Sequence, residues 1–388
     1  MVTQGNIRGG QQGVTLVELM IGAVVAAIII AAGYAVLTSS SKALTTNEQT
    51  VETQQNVRVA MEFLFRDIRQ AGFGMNGPVG NCSTAIVPAD NTPAGPDRGP
   101  DRISLVLPVG NPVGTATDPP WILNSDTTVG FNLLALPSAV AVTNMASEAG
   151  GSLTTPSATV SIGGAITTTV TAAGGANLTV AAVPAPVALK RNTPIYLLQC
   201  ITYQIIPPPD PTGLCAGRSP CLVRGVAGGV TPAGVLAGAL DCTINAPAVS
   251  RCTSIADEIE DIQFAYGCDG CVAAVNGGTA DGIIDNQGGA AGFDQADFVT
   301  NNAWATGLMT ADKIQLAQVT IVGRQRRADQ GFGDSNRQSA QGTALQVSDH
   351  LHSDGVFAAG DFAALTPPYT STRRRLLTRT IELRNLRH

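Results

Sequence analysis

Cys268 and Cys271 flank two residues in the run CDGC, a spacing at which two sulfurs can bond to each other or share a metal ion. They belong to a set of eight cysteines: Cys82, Cys200, Cys215, Cys221, Cys242, Cys252, Cys268 and Cys271. An even number, confined to a loop-rich region, reads as disulfides formed in an oxidising compartment. Connectivity does not follow from sequence, but short spacings favour Cys215 with Cys221, Cys242 with Cys252, and Cys268 with Cys271. Zinc is the rival for CDGC. No second C-x-x-C follows it, and the histidines, His350, His352 and His388, are remote. Two of them lie in SDHLHSDG, 348–355, which reads as a solvated loop. DGIIDN, 281–286, has the acidic and glycine spacing of half a calcium loop. A serine triad needs a histidine beside a nucleophile; that pattern, a phosphate-cradling glycine loop and a paired acid and base are all missing. No catalytic, cofactor-binding or metal residue is assigned, no cofactor is expected, and the chain reads as a non-enzyme.

The most informative carboxylate is Glu18, in QQGVTLVELM. It opens an apolar run, VTLVELMIGAVVAAIIIAAGYAVL, from Val14 to Leu37, with no charge after Glu18. Leu19 to Leu37 as a helix is about 28 Å long, close to the hydrocarbon thickness of a bilayer. An ionised side chain inside such a segment is costly and marks function. The run is too long for the apolar core of a cleaved secretory signal. A plain anchor explains its length but neither Glu18 nor Gly13 just before it; snorkelling to the headgroups remains the bland account of Glu18. Arg8, the only charge in the leader, predicts a cytoplasmic N-terminus.

Gly13, Val14, Thr15, Leu16, Val17 and Glu18 together resemble the class III signal of type IV pilins and pseudopilins: a short basic leader, a glycine, the mature N-terminal residue, then T-L-x-E and an apolar helix. The resemblance implies cleavage between Gly13 and Val14 by a prepilin peptidase and N-methylation of Val14. The usual first mature residue is phenylalanine, and Val14 departs from that. Cleavage frees an α-amine that can approach Glu18 of a neighbouring helix. Opposite charges attract strongly where the dielectric is low, and an unpaired one is costly there.

These residues need a long element to carry them. No proline precedes Pro78, and Val57, Met61, Leu64, Ile68 and Ala71 recur at helical spacing as one apolar stripe, with Glu62, Arg66, Asp67 and Arg69 mostly off it. One helix is expected over 14–72, membrane-spanning over 14–37 and ended by Gly72 and Gly74. The polar stretch Thr38 to Thr50 holds weak helix formers and is expected to bend or fray. From 73 to 388 the chain breaks into short apolar runs between Gly, Pro, Asn and Asp. RISLVLPV (102–109), PIYLLQCITYQII (194–206), KIQLAQVTIVGRQRR (313–327) and RRLLTRTIELRNL (374–386) read as strands. Residues 130–190, low in charge, read as hairpin-like β-branched runs broken by glycine pairs, and 271–308 and 328–371 as long loops. Charged residues are only 13% of the 388-residue chain and the net charge is −6, which argues against a nucleic-acid partner. Arg373, Arg374 and Arg375 read as a solvated strand edge.

The expected fold class is therefore α+β: a 1–13 leader peptide, a long helix, and a mainly antiparallel β head. MEFLFRDIRQAGFG (61–74), ADEIEDIQFAYG (256–267), the strand ending VGRQRR and the terminal TRTIELRN resemble the layout of PilW-type minor pilins. The resemblance implies a minor pilin, incorporated into or priming a type IV pilus for motility, adhesion or DNA uptake. Its implied partners are a prepilin peptidase, other major and minor pilins through the helix, and the inner membrane before assembly; the pilus, cell surface or periplasm follows. A GspJ-like pseudopilin of type II secretion is the alternative, as is a membrane-anchored adhesive module using 130–190.

Overall fold

A computed structural model describes residues 13–89, 100–183, 187–206, 208, 210, 213–226, 252–272, 275–286, 292–300, 310–327, 345–346, 351–352, 372–383 and 385. The first element, α1 (Leu16–Gln70), is 55 residues long. The Thr38–Thr50 stretch, expected to bend or fray, is helical throughout. Its hydroxyls explain why: Thr38, Ser41, Thr45 and Thr50 each donate to a backbone carbonyl three or four residues earlier, so their polar side chains bond along the helix instead of competing with it. The molecule divides after Val51 into two units, residues 1–51 and 52–388.

In the second unit the rest of α1 buries Thr53, Val57, Ala60, Met61, Leu64, Asp67 and Ile68. The apolar members of this stripe join one core with Ile103, Leu105, Ile201, Tyr203, Ile262, Phe264, Val319 and Ile381 from two antiparallel sheets. The helix ends in AGFG, where Gly72 and Gly74 take positive φ. Gly74 is held there: a Cβ would strike Ser161, and its carbonyl accepts from Thr167 Oγ1 at 2.6 Å.

The remaining elements are β1 (Ile86–Ala89), β2 (Arg102–Val109), β3 (Leu133–Ala135), α2 (Ala139–Glu148), β4 (Thr159–Ile162), β5 (Ile166–Gly174), β6 (Asn177–Val180), β7 (Ile195–Ile206), β8 (Cys221–Val226), β9 (Cys252–Asp257), β10 (Ile259–Cys268), β11 (Val299–Thr300), β12 (Ile314–Arg324), β13 (Leu345–Gln346), β14 (Leu351–His352) and β15 (Arg374–Glu382). The larger sheet runs β1-β2-β7-β4-β5-β6-β3, with β8 on β7 and β9 on β8; the smaller runs β11-β10-β12-β15. Every pairing among the described residues is antiparallel. β7 is long enough to hold β2 along one edge and both β4 and β8 along the other. β9 and β10 are one run of chain that leaves the larger sheet and enters the smaller at Glu258, whose φ is 55°.

The low-charge middle of the chain folds around its own core. Trp121, Leu123, Phe131, Leu134, Val142, Met145, Val160, Val170, Leu178 and Leu197 pack together there. The hairpin-like runs are the meander β4-β5-β6, turning at Gly163–Gly164 and Gly175. The helix α2 within it was not foreseen. Ser138 is its cap, accepting from the Ala141 N–H at 3.3 Å. The base of this lobe is closed by Leu123 N–H on the Thr193 carbonyl and Asn192 N–H on the Leu123 carbonyl.

The arginine edge is corrected by the structure. Arg374 is buried and grips Glu260 with two nitrogens, at 2.6 and 3.1 Å; only its neighbours Arg373 and Arg375 are exposed. A guanidinium can enter a core when a carboxylate meets it in this forked geometry. Much of the 328–371 loop, with His350, lies outside the described residues, as does His388.

Candidate functional site

Gly13, Val14 and Thr15 precede the helix in irregular backbone, all exposed. Nothing lies within 4 Å of where a Gly13 Cβ would be. Among the described residues, Gly13 and Val14 are both exposed. Thr15 caps α1: its carbonyl takes the first helical bond from Leu19, and its hydroxyl accepts from the Glu18 N–H at 3.3 Å. Glu18 reaches back, and its Oε2 accepts from both the N–H and the hydroxyl of Thr15 at 3.0 Å. This is a capping box, in which two residues satisfy each other's orphan backbone donors. Sequence reasoning missed it, although the signal, a threonine with a glutamate three residues on before an apolar run, was present. Glu18 is thus a local cap, and Oε1 is left without a partner among the described residues.

From Gly13 to Leu37 every side chain is exposed, including Val14 at 73%, Leu16 at 75% and Ile30 at 70%. One contiguous helix surface this apolar needs lipid or other protein around it. By length and composition this helix is long and apolar enough to cross a membrane.

The second half of α1 is fixed to the head by a polar contact that sequence placed off the buried stripe. Asp67 is only 2% exposed. Its Oδ2 accepts from the Tyr203 hydroxyl at 2.6 Å and from Arg224 Nε at 2.7 Å, and Oδ1 pairs with Arg66 at 3.2 Å. Burial, then the neighbouring Asp67 charge, push the Tyr203 phenol far up, so it donates at any working pH. A carboxylate is tolerated in this core because each of its oxygens has a donor. Beyond it, Asn385 Nδ2 donates to the Arg69 carbonyl and Arg379 lies over Phe65, joining the end of the chain to the end of the helix.

Three disulfides lie among the described residues. Cys82–Cys200, Cys215–Cys221 and Cys268–Cys271 have Cα separations of 5.5, 5.7 and 5.9 Å. Short spacing identified the second and third but could not reach the first, which spans 118 residues. Cys252 is also disulfide-bonded, and Cys242 lies outside the described residues.

Two family models match the chain. The prokaryotic N-terminal methylation motif covers residues 8–34, which contain Gly13, Val14 and Glu18. The Type IV Pilus-assembly protein W family, PilW, covers residues 227–385, which contain β9 to β15. Together the two matches support a PilW-type type IV pilin-like protein. No curated protein and no solved structure matches the chain. The matches indicate a type IV pilus minor pilin, and the apolar N-terminal helix with its prepilin-type motif fits a membrane-anchored pilin with a disulfide-bonded β head. The motif implies processing by a prepilin peptidase and interaction with other pilins, and the family suggests a structural role. The lobe built on α2 and β3 to β6 lies outside both matched segments.

Proposed function

We propose that this minor pilin is cut between Gly13 and Val14 at the cytoplasmic face of the inner membrane, N-methylated on Val14, and drawn into a type IV pilus, where it primes assembly or sits among the other minor pilins. It spans the membrane once, with residues 1–13 inside and the head outside. The head holds and presents surface and carries out no catalysis. The observation that carries this reading is the fully exposed apolar helix start, capped by Thr15 and Glu18, inside a prepilin-type motif. In a bundle of parallel helices the amine freed on Val14 meets the Glu18 of a neighbour, and the unengaged Oε1 is the atom it would meet.

The test is processing. Gly13→Arg should leave only full-length precursor on an immunoblot of membranes. Mature protein of unchanged size in that strain would refute cleavage at this bond.

A second reading is favoured by one observation, the separate hydrophobic core of the middle lobe. Closed at its own base and nearly free of charge, the lobe would serve as an adhesive surface carried by the filament.

A further inference from the structure

CDGC and DGIIDN, apart in sequence, are interlocked in space. Asp285 N–H donates to the Cys268 carbonyl at 2.8 Å. The Asp285 carboxylate lies under the first loop, with Oδ1 accepting from Gly270 N–H and Oδ2 from Cys271 and Val272 N–H, at 2.9 to 3.0 Å. Asp269 answers from the other side: Oδ1 takes the Asp281 N–H, and Oδ2 takes the Gly282 N–H and Gln315 Nε2. The half calcium loop therefore does not gather its carboxylates on one point. Asp285 turns toward sulfur instead. Cys268 Sγ, Cys271 Sγ and an Asp285 oxygen all lie within 4.8 Å of one another, and the three residues are 1%, 5% and 3% exposed.

We propose that this cluster is a redox-gated site for zinc or a like divalent transition metal, with Cys268, Cys271 and Asp285 as its protein ligands. Zinc holds sulfur at about 2.3 Å and carboxylate oxygen at about 2.0–2.2 Å, so tetrahedral donors sit roughly 3.4–3.8 Å apart. Once the sulfur–sulfur bond is broken the two sulfurs move apart to that spacing, and a water completes the set. Oδ1 has a lone pair left for the metal because it accepts a single N–H. Two thiolates and one carboxylate on a divalent cation leave one net negative charge. Lys313, whose Nζ donates to the Gly270 carbonyl at 2.7 Å, supplies a positive charge beside it. In the oxidised chain the same cysteines are bonded to each other and the site is closed. A dithiol reductant opens it. The Cys268–Cys271 bond breaks, the reductant's two thiols become its own disulfide, and two electrons and two protons pass to the cysteine sulfurs. The metal then displaces those two protons. The loop is closed by sulfur–sulfur bonding under oxidising conditions and by metal under reducing ones.

Cobalt(II) tests this, since thiolate ligation gives a charge-transfer band and tetrahedral geometry strong visible bands. Full-length protein in detergent, reduced with a dithiol, should bind one cobalt per chain with both signatures, and zinc should displace it. The oxidised protein should bind none. The band should persist in a variant keeping only Cys268 and Cys271 and vanish in Cys268→Ser/Cys271→Ser. Asp285→Asn should weaken binding at least tenfold. Binding by the oxidised chain, or equal binding by the Cys268→Ser/Cys271→Ser protein, would overturn the proposal. So would an unchanged affinity in Asp285→Asn, or the same affinity in urea-unfolded reduced chain, which would mean adventitious thiolate binding. Loss of the folded circular-dichroism spectrum on reduction, not restored by zinc, would also overturn it.

Discussion

Glu18 carries two demands that one substitution separates. It completes the capping box with Thr15, a task glutamine performs as well, and it is proposed to present a charge to a neighbour, a task glutamine cannot perform. Glu18→Gln should therefore keep processing and helix start intact yet impair incorporation into pili as badly as Glu18→Ala. Pili from the glutamine strain with normal content of this protein would show that capping alone was needed. Glu258 gives a pH signature of its own. Burial pushes its carboxyl up more than Arg324 pulls it down, so the folded chain binds that proton more tightly than the unfolded chain. The resulting stability is full below the ordinary value of 4.5 and is lost as pH rises through the raised folded value. Against Glu258→Gln, the native protein should gain stability as pH falls from neutral toward 4.5 in denaturant titrations. A pH-independent difference would refute the raised value. The chemistry of Gly13 and Glu18 was legible because motif residues are contiguous. Asp285 as a partner of Cys268 and Cys271 was not, because fourteen residues separate it from Cys271 and only folding brings them together.

At the scale of elements, α1 is secured to the sheets by one polar contact within an apolar stripe. Asp67→Ala would leave Arg224 and the Tyr203 hydroxyl facing a void, and removing one member of a buried pair costs about 3–5 kcal/mol. The prediction is a loss near the lower end, since Arg224 is 27% exposed, read as a lower urea midpoint with unchanged slope. A loss within about 0.5 kcal/mol, the usual range for a surface substitution, would place Asp67 outside the anchoring contact. Periodicity identified the stripe correctly, since Val57, Met61, Leu64, Ile68 and Ala71 are all buried. It failed on Asp67 and Arg374 for one physical reason. Hydropathy treats a charge as outward-facing, whereas a charge whose partner lies more than a hundred residues away, as Tyr203 and Glu260 do, can face inward. The four main strand segments were readable from β-branched alternation and turn residues, while α2 was masked by an Ala, Val and Thr composition shared by helix and strand.

At the scale of the molecule, the two family-matched segments leave out the lobe, whose two chain ends are tied together by the Leu123–Thr193 and Asn192–Leu123 bonds where β4 continues the large sheet from β7. Replacing 124–191 with a short turn should therefore leave pili assembled while adhesion falls. Loss of pili on electron micrographs of that strain would instead assign the lobe to assembly. The Cys82–Cys200 bond matters for a different reason. Cys82 lies twelve residues beyond the last residue of α1, and Cys200 lies in β7, the strand paired with β2, β4 and β8. The chain just past α1 is thereby tied covalently to a strand that is itself hydrogen-bonded to three others, so displacing that stretch means disturbing β2, β4 and β8 as well as β7.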